Sequence, residues 1–132
     1  MKNIIAISIG AFFGAVCRFV ISRLNFGPFP LTTLFVNVLG SFILGLITEI
    51  ILEHIKMTET LRHMIITGFI SSFTTFSSFI LEIIELLIRG EITIAILYPI
   101  FSILLGLLAF ILGIRIVGFI SVKQRKKECE LI

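Results

Sequence analysis

Residues 24–48 read LNFGPFPLTTLFVNVLGSFILGLIT, twenty-five positions without a charged side chain. A helix of about 20 apolar residues crosses the hydrocarbon core of a bilayer, so this run is long enough to span it. It is apolar all round and lacks the strict alternation of a membrane barrel strand, so it is read as a helix. Three further runs have the same character: 15 uncharged residues between Lys2 and Arg18, 19 between Arg62 and Glu82, and 23 between Glu91 and Arg115. Of the 132 residues, 58% are apolar and only 14% charged, where a soluble domain carries about 25% charged residues. Mean hydropathy is +1.18. Four spans of about 20 residues use roughly 80 of the chain, which leaves no room for a separate soluble domain. The expected fold is an all-α integral membrane protein, a single four-helix membrane domain over 1–132. Allowing for snorkelling ends, its spans lie at about 3–23, 31–53, 62–88 and 93–118, followed by a charged tail over 119–132.

The connections are short. Asn25 to Pro30 contains Gly27, Pro28 and Pro30, His54 to Thr60 is polar, and Arg89, Gly90 and Glu91 make the third turn. The first span is not read as a cleaved signal, because Val16 before Cys17 fits neither a cleavage pattern nor a lipidation site. Cys17 lies in a span and Cys129 in the tail, so no disulfide framework is expected; His54 and His63, at span edges, do not form a metal set with them.

The formal net charge of +3 reflects topology and not nucleic-acid binding. Four spans place both termini on one side, together with Lys2, Lys56, Arg62, Lys123, Arg125, Lys126 and Lys127; the other side has Arg23 and Arg89. The positive-inside rule then favours cytoplasmic termini. Without the tail the bias is three against two, weak enough to allow insertion in either orientation. The tail cluster suits anionic lipid headgroups. Gly10 and Gly14 in the first span, and Gly40 and Gly45 in the second, allow close helix approach, and four short helices hardly enclose a polar path alone, so oligomerisation is expected.

The polar residues inside the spans carry the functional signal. Asn37 lies one and a half to two turns into the second span. It serves either as an interhelical hydrogen bond, worth about 0.6–2 kcal/mol, or as an amide donor to a transported anion. The third span contains GFISSFTTFSSF, Gly68 to Phe79, with four phenylalanines among six hydroxyls. Such hydroxyls compete for backbone carbonyls, so the run can bend or break the helix and free carbonyl oxygens for a cation or partner. In a continuous helix Phe69, Phe73, Phe76 and Phe79 would form one slowly rotating stripe. That stripe is either core packing or a path lined by electropositive ring edges, which attract an anion without trapping it. In the fourth span Tyr98 and Ser102 share a face, with Pro99 between them. Glu82 and Glu85, near the end of the third span, read by default as carboxylates reaching the interface. Arg18 either snorkels or holds positive potential in an aqueous vestibule.

Taken together, GAFFGAVCRF (Gly10 to Phe19), FPLTTLFVNVLGSFILG (Phe29 to Gly45) and GFISSFTTFSSF resemble the fluoride channel family called Fluc or CrcB over essentially the whole chain. The resemblance implies an antiparallel dual-topology dimer with two pores, a third helix broken at its centre, and passive, selective export of fluoride through the cell membrane, protecting against fluoride toxicity. It implies that Asn37 is the pore asparagine and that Phe76 and Phe79 turn ring edges to fluoride. Thr74 and Ser71 would give backbone carbonyls to a structural sodium ion, Na+, at the dimer interface; family members commonly have glycine at the position of Ser71. Tyr98, Ser102 and Glu82 resemble a polar track to the pore mouth, with Thr75 and Ser78 as neighbouring hydroxyls and Arg18 at the vestibule. Gly106, one turn after Ser102, lacks a hydroxyl where that track often continues.

Transport and not catalysis is therefore the expected activity, with fluoride, the lipid bilayer and a second subunit as partners and no nucleic acid. A small proton-coupled exporter of cationic drugs has similar length and hydropathy, but the first two spans have no acidic residue before Glu49, and the chain has no tryptophan for a cation cage. A third possibility is one half of a heterodimer whose partner inserts in the opposite sense, motivated by the tail-weighted charge.

Overall fold

The computed structural model describes residues 1–23, 30–53 and 57–130, Glu53 and the last ten by their backbone. The expected turn at Asn25 to Pro30 lies, apart from Pro30, outside the described residues, as do His54, Lys56 and the side chains of Lys123 to Glu130. All regular structure among the described residues is helical: α1 (Lys2–Ser22), α2 (Leu31–Glu53), α3 (Glu59–Arg62), a π-helical segment (His63–Ile70), α4 (Ser71–Phe73), α5 (Ser77–Ile88) and α6 (Ile92–Glu130). Among the described residues four stretches are long and apolar enough to cross a membrane: Lys2–Ser22, Leu31–Leu52, Glu59–Ile88 and Ile92–Ile120. The backbone of α6 continues helical through Pro99 and to Glu130, well past the end of its apolar part.

Local chemistry sets the ends of the third span. Thr58 accepts from the Leu61 N–H and Glu59 occupies the first turn, where a carboxylate favours the positive end of the helix. At the other end Gly90 has φ +78, the left-handed geometry that glycine adopts without strain. The Gly90 N–H bonds the Leu87 carbonyl at 3.0 Å and the Glu91 N–H the Leu86 carbonyl at 2.9 Å, which satisfies the last carbonyls and sends α6 back along α5.

The spans pack as two parallel pairs held by glycines. A Cβ on Gly10 would fall onto the Met64 carbonyl and one on Gly14 onto the Phe69 carbonyl, so α1 lies backbone to backbone against the π-helical segment. In the same way Gly45 meets the Phe110 carbonyl and Gly113 the Phe42 carbonyl, which fixes α2 along α6. The third span changes sides between these pairs: α4 packs on α1, whereas α5 packs on α6. Phe79, Leu86, Ala95 and Tyr98 form the buried core between α5 and α6, with Leu34 and Ile83 packed on it. Phe12, Phe13, Leu107 and Leu108 stay exposed, a surface suited to lipid or a second subunit.

Candidate functional site

The site forms where the third span changes sides. Thr74 gives both its N–H and its hydroxyl to the Ile70 carbonyl, at 3.0 and 2.9 Å, and its own ψ of 159° takes the chain out of the helix. Thr75 then has no helical partners, and Asn37 on α2 replaces them: its Oδ1 accepts from the Thr75 N–H at 2.9 Å and its Nδ2 donates to the Thr75 carbonyl at 3.0 Å. One Nδ2 hydrogen remains. Helix winding resumes at Ser77, where Thr75 Oγ1 accepts from the Ser78 N–H at 3.2 Å and contacts the Ser78 hydroxyl at 3.1 Å.

These diversions redirect the donors that would serve carbonyls 71 and 74 in a continuous helix. The Thr75 N–H goes to Asn37 instead of Ser71, and the Ser78 N–H goes to Thr75 Oγ1 instead of Thr74. Arg18 stays in the protein, with a guanidinium nitrogen 3.5 Å from the Thr74 carbonyl oxygen, at the limit of hydrogen-bond reach. Two carbonyl oxygens released in this way from the helical N–H donors are hard donors, of the chemistry a small alkali cation takes.

The four phenylalanines do not share one stripe, because π winding and the interruption at Thr74 change the phase between them. Phe69 and Phe73 stack at 5.8 Å on the α1 side, and Phe76 and Phe79 lie 6.1 Å apart beyond the interruption. Phe79 is 9% exposed and packs at 5.1 Å against Tyr98, whereas Phe76 is 76% exposed and projects from the chain.

Glu82 corrects the default interfacial reading. Its carboxylate turns inward and accepts from Thr33 Oγ1 at 2.5 Å and from the Tyr98 hydroxyl at 2.8 Å. Glu85 does face outward, 3.8 Å from Arg89. Thr33 had no role assigned from the sequence; its position four residues before Asn37, on the same helix face, was the available signal. Ser102 is buried one turn beyond Tyr98 on α6.

Two cavities meet at Thr75. One, of about 380 Å³, is bordered by Asn37, Ser41, Ser71, Thr74 and Phe76. The other, of about 240 Å³, is bordered by Arg18, Ser22, Thr32, Thr33 and Ser78. Among the described residues Arg18 is the only charged one lining either, so the pair of cavities is electropositive and rich in hydroxyl donors.

The family described as CrcB-like protein, Camphor Resistance (CrcB), matches residues 5–114. The chain belongs to the CrcB family. The match contains every residue of the site, from Arg18 to Ser102. Among relatives of this CrcB chain, the fluoride-specific ion channel FluC of Azobacteroides pseudotrichonymphae is 40% identical over 117 residues, covering 86% of this chain and 94% of its own length. The protein of the same name from Francisella tularensis subsp. mediasiatica is 40% identical over 121 residues, 86% and 93% of the two chains. The fluoride-specific ion channel FluC 1 of Staphylococcus aureus is 40% identical over 116 residues, 87% and 96%. CrcB membership and four apolar helices make this a multi-pass membrane protein of a channel family.

Proposed function

We propose that the chain is a subunit of a passive fluoride channel, exporting fluoride from the cytoplasm across the cell membrane. The observation that carries the proposal is 40% identity, over most of both chains, to proteins named fluoride-specific ion channels. The same relatives do not favour a proton-coupled exporter of cationic drugs.

Fluoride is small and strongly hydrated, and its transfer into hydrocarbon costs tens of kcal/mol on a Born estimate. A conducting path must replace its water with donors. Asn37 keeps one amide hydrogen after bridging Thr75, and Thr75, Ser78 and Ser102 add hydroxyls. The rings of Phe76 and Phe79 present electropositive edges, and Tyr98 and Glu82 continue the track toward the mouth. Arg18 raises the local anion concentration in the vestibule without standing in the path. Successive weak sites of this kind let the ion leave as readily as it enters, and a narrow path disfavours the larger chloride. A potential of about 100 mV, negative inside, contributes roughly 2.3 kcal/mol per charge, a gradient of about fiftyfold toward efflux. No pump is required.

The working unit is an antiparallel dual-topology dimer with two pores, formed by two copies of this chain or by this chain and a paralogue of reversed charge bias. The 76% exposure of Phe76 supports a partner covering it. A sodium ion at the dimer interface would be held by the backbone carbonyls of Ser71 and Thr74. When bound it would supply a fixed positive charge there. Serine serves as well as glycine for this purpose, since the ligand is the backbone oxygen and Ser71 has ordinary helical geometry, φ −61 and ψ −34.

The test is fluoride efflux from liposomes containing only this purified chain, under a potassium and valinomycin potential, with chloride-only vesicles as control. Fast fluoride-selective efflux is expected and would establish a self-sufficient homo-oligomeric channel. Silence that persists after adding a paralogue of opposite bias would sink the proposal.

A further inference from the structure

Thr33, Asn37 and Ser41 recur every four residues and so share one face of α2, and Tyr98, Ser102 and Gly106 do the same on α6. The two helices run in a fixed parallel register. Thr33 and Tyr98 converge on the same Glu82 carboxylate, a Cβ on Gly106 would lie 3.4 Å from Ser41 Oγ, and Gly45 meets the Phe110 carbonyl. Each pair has the same 65-residue offset, and that offset places Ser102 level with Asn37. The two faces thus make a seam with three polar levels about 6 Å apart, four residues at 1.5 Å each. At the first level the hydroxyls come from both helices, at the second an amide faces a hydroxyl, and at the third α6 offers only the space above Gly106.

We infer that Ser41 is the anion donor of this third level, taking over the place that a hydroxyl at position 106 would fill; the inference rests on the fluoride-channel reading above. Ser41 borders the 380 Å³ cavity together with Asn37, Thr74, Thr75 and Phe76, so its hydroxyl lies on the approach to the Asn37 amide. In the absence of an anion it donates to the Asn37 carbonyl, 2.8 Å away in its own helix. That back-bond is weakly held, because the carbonyl keeps its place in the helical ladder without it. Rotation of the Ser41 side chain therefore frees an O–H for fluoride at small cost, and the ion passes from Ser41 to Asn37 in one step of about 6 Å. A Cβ at Gly106 would be in ordinary van der Waals contact with Ser41 Oγ, so position 106 can deliver a small side chain to the same place.

The experiment is fluoride efflux from proteoliposomes of the full chain and of Ser41→Ala, Ser41→Ala with Gly106→Ser, and Ser41→Ala with Gly106→Ala, each first checked for monodispersity. Loss of a donor to an anion slows efflux on the order of tenfold in Ser41→Ala. A serine at 106, with the Ser41 oxygen gone, restores the hydroxyl from the opposite helix and returns the rate to near that of the parent; an alanine at 106 does not. Equal rates in parent and Ser41→Ala would overturn the inference and leave the channel reading intact. Rescue by both residues at 106, or by neither, would also overturn it, since Ser41 would then be filling space. Should Ser41→Ala fail to reconstitute, Ser41→Cys keeps the shape with a much weaker donor and is expected to show the same slowing. A parent chain that conducts no fluoride even with a paralogue of opposite bias would defeat the channel reading, and this inference with it.

Discussion

Replacing Asn37 by alanine removes the group that holds the crossover of the third span. The side chain makes two hydrogen bonds with Thr75, at 2.9 Å to its N–H and 3.0 Å to its carbonyl, in place of the helix partners that residue lacks. A stranded buried polar group costs about 1–3 kcal/mol, so full burial of both would cost roughly 2–6 kcal/mol. Asn37 is only half-buried and adjoins the 380 Å³ cavity, so water can reach one of the two groups and the lower part of the range applies. The expected loss is about 2–3 kcal/mol, a factor of roughly 30 to 150 in the folding equilibrium. Reversible unfolding in mixed micelles under increasing SDS would measure it. Hydrogen exchange would locate it, with faster exchange at the Thr75 amide while α1 and α6 remain protected. A variant within about 0.5 kcal/mol of the parent, with unchanged exchange at Thr75, would refute this account of the amide.

Phe76→Ile and Phe79→Ile should each abolish fluoride flux in liposomes while the dimer still assembles, because the aliphatic chain has no electropositive edge to offer; undiminished flux in both would move the pathway elsewhere. Glu82→Ala removes the shared acceptor of Thr33 and Tyr98 and should lower stability by about 1–3 kcal/mol in the same SDS titration. Gly10→Ala places a methyl group on the Met64 carbonyl and should cost about 1–3 kcal/mol by forcing α1 away from the third span. A parent-like unfolding midpoint would show that the two helices can separate freely.

The membrane architecture is legible in the sequence because uncharged runs of 15 to 25 residues allow few alternatives in lipid. Asn37 and the hydroxyl-rich third span are legible for a related reason, since polar groups there are costly and so stand out. Glu82 was ambiguous from its own surroundings. A carboxylate near a span end ordinarily reaches the interface, and its inward turn depends on Thr33 and Tyr98, 49 and 16 residues away in sequence. Their convergence follows from the register between α2 and α6, set by Gly45 and Gly113 against facing carbonyls. Periodicity within one helix says nothing about register between two. The π winding of His63–Ile70 likewise escaped the sequence reading: its residues are ordinary helix-compatible types, and none of them marks a wider turn.

That winding makes the third span a counting device. A π turn takes up an extra residue relative to an α turn, and a single-residue deletion is the change that would rewind it. Removing one residue in His63–Ile70 as the winding reverts to α would therefore keep the downstream phase, whereas a second deletion or an insertion would swing everything downstream by about 100°. Thr75 would then face away from Asn37, and Phe76 and Phe79 would point to a different neighbour. The phase would be lost first, and with it the two Asn37–Thr75 hydrogen bonds. Insertions or deletions in this chain are therefore tolerable in the turns, whereas in the eight residues before Ser71 all but the single deletion that removes the π turn would present the donors to the wrong side.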